Sequence, residues 1–367
     1  MKTAVVILNW NTRDYLDRFL PPLIQSCEGL DAEVIVADSA STDGSINLLK
    51  ERFPQIRRIE LDANYGFTGG YNRALAQIDA DYFVLINSDI EVDGGWLSPL
   101  VEWLDTHSEC AACSPKLLSW YDRERFEYAG AAGGCIDALG YPFCRGRVLQ
   151  RTEQDLGQYD TARDVFWVSG ACMMIRASLW RECGGLDDRF FAHMEEIDLC
   201  WRLHLRGYSV SVVPQSKVFH IGGGTLPASS PRKLRLNYRN NLLMLHNNLY
   251  GHFLAEGHSP AAARCRATLR LGLRYLLDDC SAAVYLLCGK VQSAAAVMRG
   301  HREFWQLRPL RRLECRCKTI PAGSNGNGPG QADARHAFDG YYRGSILLAA
   351  AIHRDRIFDY IARKLSR

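Results

Sequence analysis

The first third of the sequence alternates short, mostly apolar runs with segments whose apolar residues recur at helical spacing. The apolar runs are AVVILNW, AEVIVADSA, IRRIELDA and DYFVLINSD, and segments with the period of an amphipathic helix separate them. Strands that are apolar at nearly every position are buried on both faces, which is typical of a parallel sheet covered by helices. The alternation therefore predicts an α/β fold, with a mostly parallel sheet sandwiched by helices.

Polar or amphipathic side chains follow the predicted strands at the points where those strands end. In chain order they are Asn9, Trp10 and Asn11, then Asp38, then Asn64, and finally Asn87, Ser88 and Asp89. Parallel α/β sheets bind ligands outside the carboxyl ends of their strands. We therefore expect these residues to converge on one edge of the sheet and to form a ligand site there.

Two common phosphate-binding patterns do not occur after the first strand. A dinucleotide-binding fold would place G-x-G-x-x-G there, and a P-loop would need G-x-x-x-x-G-K-[ST]. The sequence instead continues Asn9-Trp10-Asn11-Thr12-Arg13, without a glycine. A nucleotidyltransferase, which remains an alternative, would need a basic loop at this point to hold its nucleotide. Arg13 is the only basic residue near it, so the pattern disfavours that class too.

Asp89 and His220 each end an apolar strand. Taken alone, Asp89 is explained as a turn-forming residue and His220 as a structural histidine. Three glycines follow His220, however, and glycine lets the backbone approach a ligand closely. A carboxylate and an imidazole on neighbouring strand ends can share a divalent cation, with substrate phosphates completing the coordination shell. We therefore expect a divalent cation, Mn²⁺ or Mg²⁺, at this pair.

Glu195, Glu196 and Asp198 form an acidic cluster at the start of a predicted helix. A helix N-terminus favours acids, and Asp198 can pair with Arg202 one turn later, so a structural explanation suffices for Asp198. That explanation suits Glu195 and Glu196 less well, because they follow the apolar stretch 190–194. An acid pair in such a cleft can have a raised pKa and serve as a general base.

These residues belong to a series of short motifs. The motifs are DSASTDGS at 38–45, NYGF at 64–67, NSD at 87–89, WVSGA at 167–171, GGLD at 184–187, EEIDLCWR at 195–202 and VFH at 218–220. In motif content, order and spacing the chain resembles inverting family-two glycosyltransferases with the GT-A fold. It is most similar to the rhamnosyl- and galactofuranosyl-type branch, which builds bacterial surface polysaccharides. The resemblance covers about residues 3–250, and the C-terminal third resembles the helical tail of that branch more loosely.

The resemblance implies that the sheet edge binds a nucleotide-diphosphate sugar donor. Asp38 would hydrogen-bond the nucleotide base. The other donor-binding positions would be Asn9, Trp10 and Asn11 in the base pocket, Asn64 and Gly66 beside the nucleotide or sugar, and Asn87 and Ser88 in the family's DxD-like motif. In that motif Asp89 would bind the metal, with His220 as the second protein ligand.

The resemblance also implies a catalytic base and an acceptor side. Glu196 would occupy the position of the base, and Trp167, Gly170 and Asp198 would lie on the acceptor side. The family usually has Glu-Asp where this chain has Glu195-Glu196, so either residue could be the base, and we favour Glu196. A second departure is Asn87, which replaces the first acid of the strict metal motif. Together the two departures keep open a degenerate nucleotide-sugar-binding module without turnover.

Charge is distributed unevenly along the chain. Residues 232–367 carry 23 Lys and Arg against 9 Asp and Glu, whereas residues 1–231 carry 21 against 32. This asymmetry indicates an acidic catalytic part joined to a basic docking part. We therefore expect a catalytic domain at 1–235 and a helical, basic region at 236–367, with a flexible loop at 321–330.

The basic region contains two groups of cations that could face a partner. They are a stripe of Arg266, Arg270 and Arg274, and a cluster of Arg308, Arg311, Arg312, Arg316 and Lys318. Either they form a solvated helix face, or they dock on an anionic membrane surface that carries a glycan or polyprenyl-linked acceptor. Nucleic acid is not expected as a partner, because the acidic remainder would repel it.

Cysteine usage and hydropathy bear on the cellular location. Thirteen cysteines are scattered without the regular spacing of a disulfide framework, which indicates ordinary reduced thiols. The apolar run after Met1 is too short for a signal peptide, and no window of about 18 apolar residues suggests a membrane span. These features predict a cytoplasmic protein, with peripheral attachment to the inner face of the membrane as an option.

Overall fold

The computed structural model describes residues 1–222, 230–308 and 338–365. Its strands are β1 (Thr3–Asn9), β2 (Ala32–Ser39), β3 (Arg57–Leu61), β4 (Tyr82–Ile86), β5 (Ile90–Val92), β6 (Cys110–Ser119), β7 (Gly134–Asp137), β8 (Pro142–Cys144), β9 (Arg147–Val148), β10 (Arg151–Thr152), β11 (Arg163–Val165), β12 (Cys172–Arg176), β13 (Ser209–His220) and β14 (Tyr341–Tyr342). Its α-helices are α1 (Arg13–Ser26), α2 (Ser45–Arg52), α3 (Gly66–Leu75), α4 (Leu97–Thr106), α5 (Ala177–Glu182), α6 (Glu195–His204), α7 (Pro231–Ala255), α8 (Pro260–Leu287), α9 (Val291–Leu307), α10 (Ile346–His353) and α11 (Ile357–Leu365).

The large sheet has the strand order β11-β13-β6-β12-β4-β1-β2-β3, and β5 pairs with the end of β13. The strands β3, β2, β1 and β4 are all parallel, as the sequence predicts. β12 enters antiparallel between β4 and β6, while β6 and β13 are parallel to each other. The sheet is therefore mixed, with its parallel half carrying the predicted site.

Helices cover both faces of this sheet because successive side chains of its strands point in opposite directions. On β1, Val5 and Ile7 belong to the hydrophobic cluster that α1, α2 and α4 complete. Ala4 and Val6 belong to the other cluster, which includes apolar residues of α3, α6 and α7. All four side chains are at most 2% exposed, which explains why this strand is apolar from Ala4 to Leu8.

The region 120–165, which the sequence pattern leaves unassigned, contributes most of a second, smaller sheet. Within the described residues its strand order is β10-β9-β8-β7-β14. The last of these strands comes from the far end of the chain and pairs parallel with β7. Beneath this sheet, Cys135 and Phe143 pack against Ile346, Ile357 and Ile361 of the C-terminal helices.

The C-terminal region is helical where the structure describes it, but its limits differ from the predicted ones. The boundary expected between residues 235 and 236 falls inside α7, which runs unbroken from Pro231 to Ala255. α7, α8 and α9 pack against one another, and α7 also packs on α6 of the catalytic part. The loop predicted at 321–330 lies outside the described residues.

The predicted basic stripe on α8 is wrong for two of its three members. Arg274 is 4% exposed, and its Nε donates to Asp278 Oδ1 at 2.8 Å. Arg270 donates to the Ala138 carbonyl and to the Tyr341 hydroxyl, so it joins α8 to the small sheet. These two cations point into the protein because partners lie there, which spacing along the helix does not reveal.

Only part of the second basic cluster can be described. Arg308 follows α9 and lies over the Trp305 ring, with 4.2 Å between the guanidinium carbon and the ring centroid. The other members, Arg311, Arg312, Arg316 and Lys318, lie outside the described residues. No helix in the described ranges combines the length and the apolar character that crossing a bilayer requires.

Candidate active site

The predicted residues of the first strands do meet at the carboxyl edge of the sheet. β1 and β2 are paired so that Asn9 lies directly opposite Asp38. β4 ends beside β1 at Ile86, and the Asn87 amide donates to the Ala171 carbonyl at 2.9 Å. Parallel pairing thus brings together residues that are up to about eighty positions apart in the sequence.

Hydrogen bonds join most of the polar side chains on this edge. Asn9 Nδ2 donates to Asp38 Oδ2 at 2.6 Å and to Ser41 Oγ at 3.0 Å. Thr12 Oγ1 lies 2.5 Å from Asn9 Oδ1 and 2.8 Å from Ser88 Oγ. Asp38 is 2% exposed, and its Oδ1 also accepts from the Ser41 amide at 2.8 Å. Asp38 therefore orders the loop after β2, and its expected contact with a nucleotide base stays a prediction.

Trp10 and Asn11 lie at the outer rim of this network. Trp10 is 39% exposed, so one face of the indole is open to a ligand. Asn11 has φ 55, a left-handed conformation that asparagine tolerates better than most residues. Its side-chain oxygen accepts from the Thr42 amide at 2.7 Å, which ties the β1–α1 turn to the β2–α2 loop.

Asn64 and Gly66 lie at the start of α3. Asn64 Oδ1 accepts from the Gly66 amide at 2.8 Å. Gly66 has φ +71, and a Cβ there would lie only 2.5 Å from the Phe191 carbonyl oxygen. That oxygen also accepts from the amides of Phe67, at 2.7 Å, and Thr68, at 3.2 Å. The structure therefore gives Gly66 a packing role, and its expected position beside the donor stays a prediction.

Asp89 and His220 come together as the sequence predicts. β5 pairs with β13 so that Ile90 lies opposite His220, and this places Asp89 Oδ1 3.2 Å from His220 Nε2. On the other side of the imidazole, Glu127 Oε1 lies 3.5 Å from Nδ1. All three ionisable side chains are buried. The result is a carboxylate–imidazole–carboxylate row at the sheet edge.

Opposing effects set the pKa values in this row. Burial alone would raise the pKa of Asp89, but the hydrogen bond and charge of His220 outweigh it and lower that pKa. Burial likewise opposes protonation of His220, yet Glu127 and Asp89 raise the pKa of the imidazole to about 10. The two carboxylates therefore favour a positive charge on the imidazole that lies between them.

Glu195 and Glu196 begin α6 in two different environments. Glu195 is buried, and burial together with the charge of Glu196 raises its pKa well above the usual range. Glu196 is half-buried, and burial raises its pKa to about 7. The Oε2 atom of each has no hydrogen-bond partner among the described residues. Of the two side chains, Glu196 is the more exposed.

Gly170, which the resemblance places on the acceptor side, lies next to Glu196. A Cβ on Gly170 would lie 3.6 Å from the Glu196 Cβ and 3.3 Å from the Phe67 ring. Burial raises the pKa of the nearby Cys144 thiol against the lowering effect of Arg147, whose Nη2 donates to Cys144 Sγ at 3.4 Å.

Trp167 and Asp198, which are expected on the acceptor side, are both buried. Trp167 is 3% exposed, and its indole N–H donates to the Cys135 carbonyl at 2.9 Å. Asp198 is fully buried and pairs with Arg202 Nε at 2.8 Å, which confirms the ion pair predicted one turn apart. Asn247 and Asn248 of α7 donate to its other oxygen. Trp167 and Asp198 therefore contact other parts of the protein and support the residues of the site.

Sequence reasoning missed several residues of this site. Glu127 lies in the region without periodicity, so no pattern pointed to it. Thr12 lies next to the Asn9-Trp10-Asn11 run, and Ser41 lies within the DSASTDGS motif. Their positions beside predicted site residues could therefore have indicated that they belong to the site. Within the described residues no group of three His, Cys, Asp or Glu side chains has the geometry of a complete metal site. Any cation here would draw further ligands from substrate or water.

Comparison with known proteins identifies a family for residues 4–183 and a relative that covers about three quarters of the chain. Residues 4–183 match the model of the family described as Glycosyl transferase family 2. An N-acetylglucosaminyl-diphospho-decaprenol L-rhamnosyltransferase of Mycobacterium tuberculosis (strain ATCC 25618 / H37Rv) is 28% identical over 285 residues, which cover 74% of this chain and 88% of that protein.

Solved structures show the same architecture at low sequence identity. S. aureus TarS 1-349 in complex with UDP-GlcNAc superposes with a TM-score of 0.52 at 15% identity, covering 84% of this chain and 86% of that chain. GalNAc-T7 with UDP, GalNAc and Mn²⁺ gives a TM-score of 0.51 at 15% identity, covering 67% of this chain and 47% of that chain. Both likenesses concern the fold.

Proposed function

Because the chain belongs to glycosyl transferase family 2, we propose that it moves a sugar from a nucleoside-diphosphate sugar to an acceptor hydroxyl with inversion. The observation that carries this proposal is the pairing of two chemical features on one side of the sheet. Asp89, His220 and Glu127 form a row of two carboxylates around an imidazole, and Glu196 is a half-buried carboxyl group with a pKa of about 7. An inverting transfer needs charge neutralisation at the leaving group and a base at the acceptor.

A divalent cation fits the Asp89–His220 pair. Asp89 would supply a carboxylate oxygen and His220 an imidazole nitrogen, and these two atoms lie 3.2 Å apart. Carboxylate oxygen suits Mn²⁺ and Mg²⁺, and His220 would release its proton when it binds the cation. When bound, the cation would neutralise negative charge that develops on the leaving diphosphate. The Mn²⁺ in the GalNAc-T7 structure supports the same proposal.

Glu196 would act on the acceptor. Its ionised carboxylate would take the proton of the acceptor hydroxyl as the new C–O bond forms and the sugar–phosphate bond breaks. Burial makes the carboxylate more basic than a solvated one, so it accepts that proton more readily. Gly170 packs against Phe67 and Glu196, and a Cβ there would lie 3.3 Å from the Phe67 ring, so a side chain at this position would crowd the proposed base.

The donor would lie along the edge formed by β1, β2 and β4. Trp10 offers an exposed indole face for stacking with a nucleotide base, and the hydrogen-bonded network from Asn9 to Ser88 holds its turn in place. The sugar is proposed to be a hexose or deoxyhexose such as L-rhamnose, and the acceptor a polyprenyl-diphosphate-linked glycan. The M. tuberculosis relative, whose name states both, supports this choice.

The first experiment measures release of free nucleotide from UDP-GlcNAc, nucleoside-diphosphate L-rhamnose and other nucleotide sugars, with Mn²⁺, Mg²⁺ or chelator. The proposal predicts slow hydrolysis of one donor, lost with chelator. Asp89→Ala should lower the rate at least about 100-fold, as expected when a charge-stabilising group is removed. Asp93→Ala, a change of a nearby exposed carboxylate after β5, is the control. A donor that is hydrolysed equally well with chelator would contradict the assigned role of the Asp89–His220 pair.

The acceptor proposal leads to a membrane-facing surface on α8. Four leucines form an exposed stripe along this helix, and their exposed fractions are 67% for Leu269, 46% for Leu273, 58% for Leu276 and 88% for Leu287. Arg266 lies at the same face one turn before Leu269, and residues 232–367 carry an excess of basic side chains. We propose that this leucine stripe, with basic residues around it, rests on an anionic membrane surface.

Vesicle co-sedimentation tests the membrane surface. With phosphatidylglycerol vesicles at low salt, the double variant Leu273→Asp, Leu276→Asp should bind several-fold less than wild type, since two apolar side chains are lost from the buried area. Leu156→Asp changes a leucine that is 78% exposed in the loop before β11 and should bind normally. Equal binding of all three proteins would refute the proposed surface. A change in oligomeric state without lipid would instead assign the stripe to a second copy of the chain.

A further inference from the structure

The segment that leads into Glu195 and Glu196 has an unfavourable backbone. Phe191, His193 and Met194 have φ values of 63, 73 and 72, and none of them is glycine. Left-handed conformations cost free energy for residues with a Cβ, so three of them within four positions will not persist without support. The structure around the segment must therefore hold it in place.

Asn240 of α7 provides much of that support. Its Nδ2 lies within hydrogen-bond distance of three carbonyl oxygens of the segment, at 2.9 Å from Phe190, 2.7 Å from Ala192 and 2.8 Å from His193. Asn240 is fully buried, so no water competes for these contacts. One side-chain amide thus fixes the path of the backbone immediately before the proposed base.

Arg239 orients the Asn240 amide and adds bonds of its own. Its Nε donates to Asn240 Oδ1 at 2.8 Å, which leaves the Asn240 NH₂ group facing the segment. Its Nη2 donates to the carbonyls of Arg189, at 3.1 Å, and Phe190, at 2.7 Å. Glu303 of α9 accepts from Nη1 at 3.3 Å and holds the guanidinium from behind.

On its other side the segment is attached to the donor half of the site. The Phe191 carbonyl accepts from the first amides of α3, and Gly66 makes room for it. The backbone before Glu196 is therefore held between α7 and α3. A shift on the α7 side would move the carboxylate relative to the donor edge.

We propose that Asn240 is a positioning residue, which sets the distance of the Glu196 carboxylate from the reacting sugar through its bonds to residues 190–193. The inference rests on the proposed function, because it takes Glu196 to be the base. A displacement of about 1 Å in a reacting group can cost roughly 100-fold in rate, so a loss of this order is expected when the bonds are removed.

The test compares Asn240→Asp with Asn241→Asp. Both residues are buried on α7, but Asn241 Nδ2 donates to the Gly140 carbonyl, away from the segment. Each variant replaces a buried NH₂ donor by a carboxylate oxygen, so each disturbs the fold in a similar way. Asn240→Ser is a milder second variant that adds no charge, in case Asn240→Asp does not fold.

Two readouts separate positioning from general destabilisation. In nucleotide release from the hydrolysed donor, changes at Asn240 should lower kcat about 100-fold with the donor KM within about threefold, and Asn241→Asp should keep kcat within threefold. In hydrogen exchange, amides of residues 190–196 should exchange faster in the Asn240 variants only. Similar kcat losses in the Asn240 and Asn241 variants would overturn the proposal.

The hydrogen-exchange readout also keeps the proposal separate from the proposed function. If wild type hydrolyses none of the nucleotide sugars offered, the proposed function fails, and exchange alone decides whether Asn240 holds the segment. Faster exchange at 190–196 in the Asn240 variants but not in Asn241→Asp would still support the positioning role. Equal exchange in all variants would refute it.

Discussion

The two halves of the candidate site are built in opposite ways. On the donor side, Asn9, Thr12, Asp38 and Ser41 hydrogen-bond to one another, and each polar group faces a partner. On the α6 side, the Oε2 atoms of Glu195 and Glu196 have no partner among the described residues, and the backbone before them is strained. In the first half each of these side chains has a hydrogen-bond partner. In the second half two carboxylate oxygens are buried without one.

The difference fits the roles proposed for the two halves. A binding surface gains from a satisfied network, because rigid side chains and loops need not be ordered when the ligand arrives. A general base gains from an unsatisfied carboxylate, because desolvation brings its pKa close to the working pH. Native proteins tolerate such unpaired buried groups where another part of the structure holds them, and here α7 does so.

Changing the two glutamates separately is the strongest test of this difference between the two halves. Glu196→Gln should lower kcat about 1,000-fold, since a general base contributes roughly 100- to 10,000-fold. Glu195→Gln should cost far less, because Glu195 is buried beneath the surface that a substrate reaches. Nucleotide release under saturating donor measures both, and thermal unfolding checks that both variants fold. A larger loss for Glu195→Gln would assign the base to Glu195 instead.

The pH dependence of kcat tests the unsatisfied half without any mutation. Burial raises the pKa of Glu196 to about 7, and the base works only when it is ionised. The rate should therefore fall about tenfold per pH unit below pH 7 and level off above it. Other ionisable groups in this region include Glu195, Cys144 and Cys200, and burial raises the pKa of each of them.

A profile of kcat from pH 5 to 9 measures this fall in rate. Glu195→Gln serves as the control, since its rate should also fall only below about pH 7. If the rate instead fell only near the ordinary pKa of glutamate, about 4.3, the working carboxylate would be solvated, and the contrast between the two halves would disappear.

A smaller effect is expected where Glu127 supports His220. Glu127→Gln removes the charge beside the imidazole and should weaken Mn²⁺ binding about tenfold, as is typical for a carboxylate behind a metal-binding histidine. The rate at saturating Mn²⁺ should change little. A Mn²⁺ titration of nucleotide release measures this. Glu91→Gln is the control, since Glu91 lies on β5 but pairs with Arg123. Equal Mn²⁺ affinity in both variants would mean that Glu127 has no part in the row.

Sequence reasoning recovered the half of the site that secondary structure builds. The parallel strands β1 to β4 follow from their apolar runs, and their ends bring Asn9, Asp38 and Asp89 to one edge by geometry alone. His220 was found because its strand has the same pattern. Such residues are predictable since each one's position depends on a regular element that local sequence specifies.

The rest depends on contacts between distant, irregular segments. Glu127 lies in a loop whose place is set by the small sheet, and that sheet has strands of only two to four residues. From sequence alone, the side chains of Trp167 and Arg274 could face either solvent or protein. Their packing partners determine which of the two occurs. The segment 189–194 shows no glycine at its left-handed positions, so the sequence gives no sign of its path.

The pairing of β14 with β7 has a consequence for how the chain matures. Asp137 at the end of β7 accepts a hydrogen bond from the Ile346 amide, a contact between residues 209 positions apart in sequence. The large sheet uses only strands before residue 221, so it can assemble while the ribosome is still making the C-terminal helices. The small sheet already has β7 to β10 by residue 152, but it is complete only after Tyr341 and Tyr342 have been made. Each newly made molecule therefore passes through a stage in which the large sheet can be complete while β7 still lacks its neighbour β14.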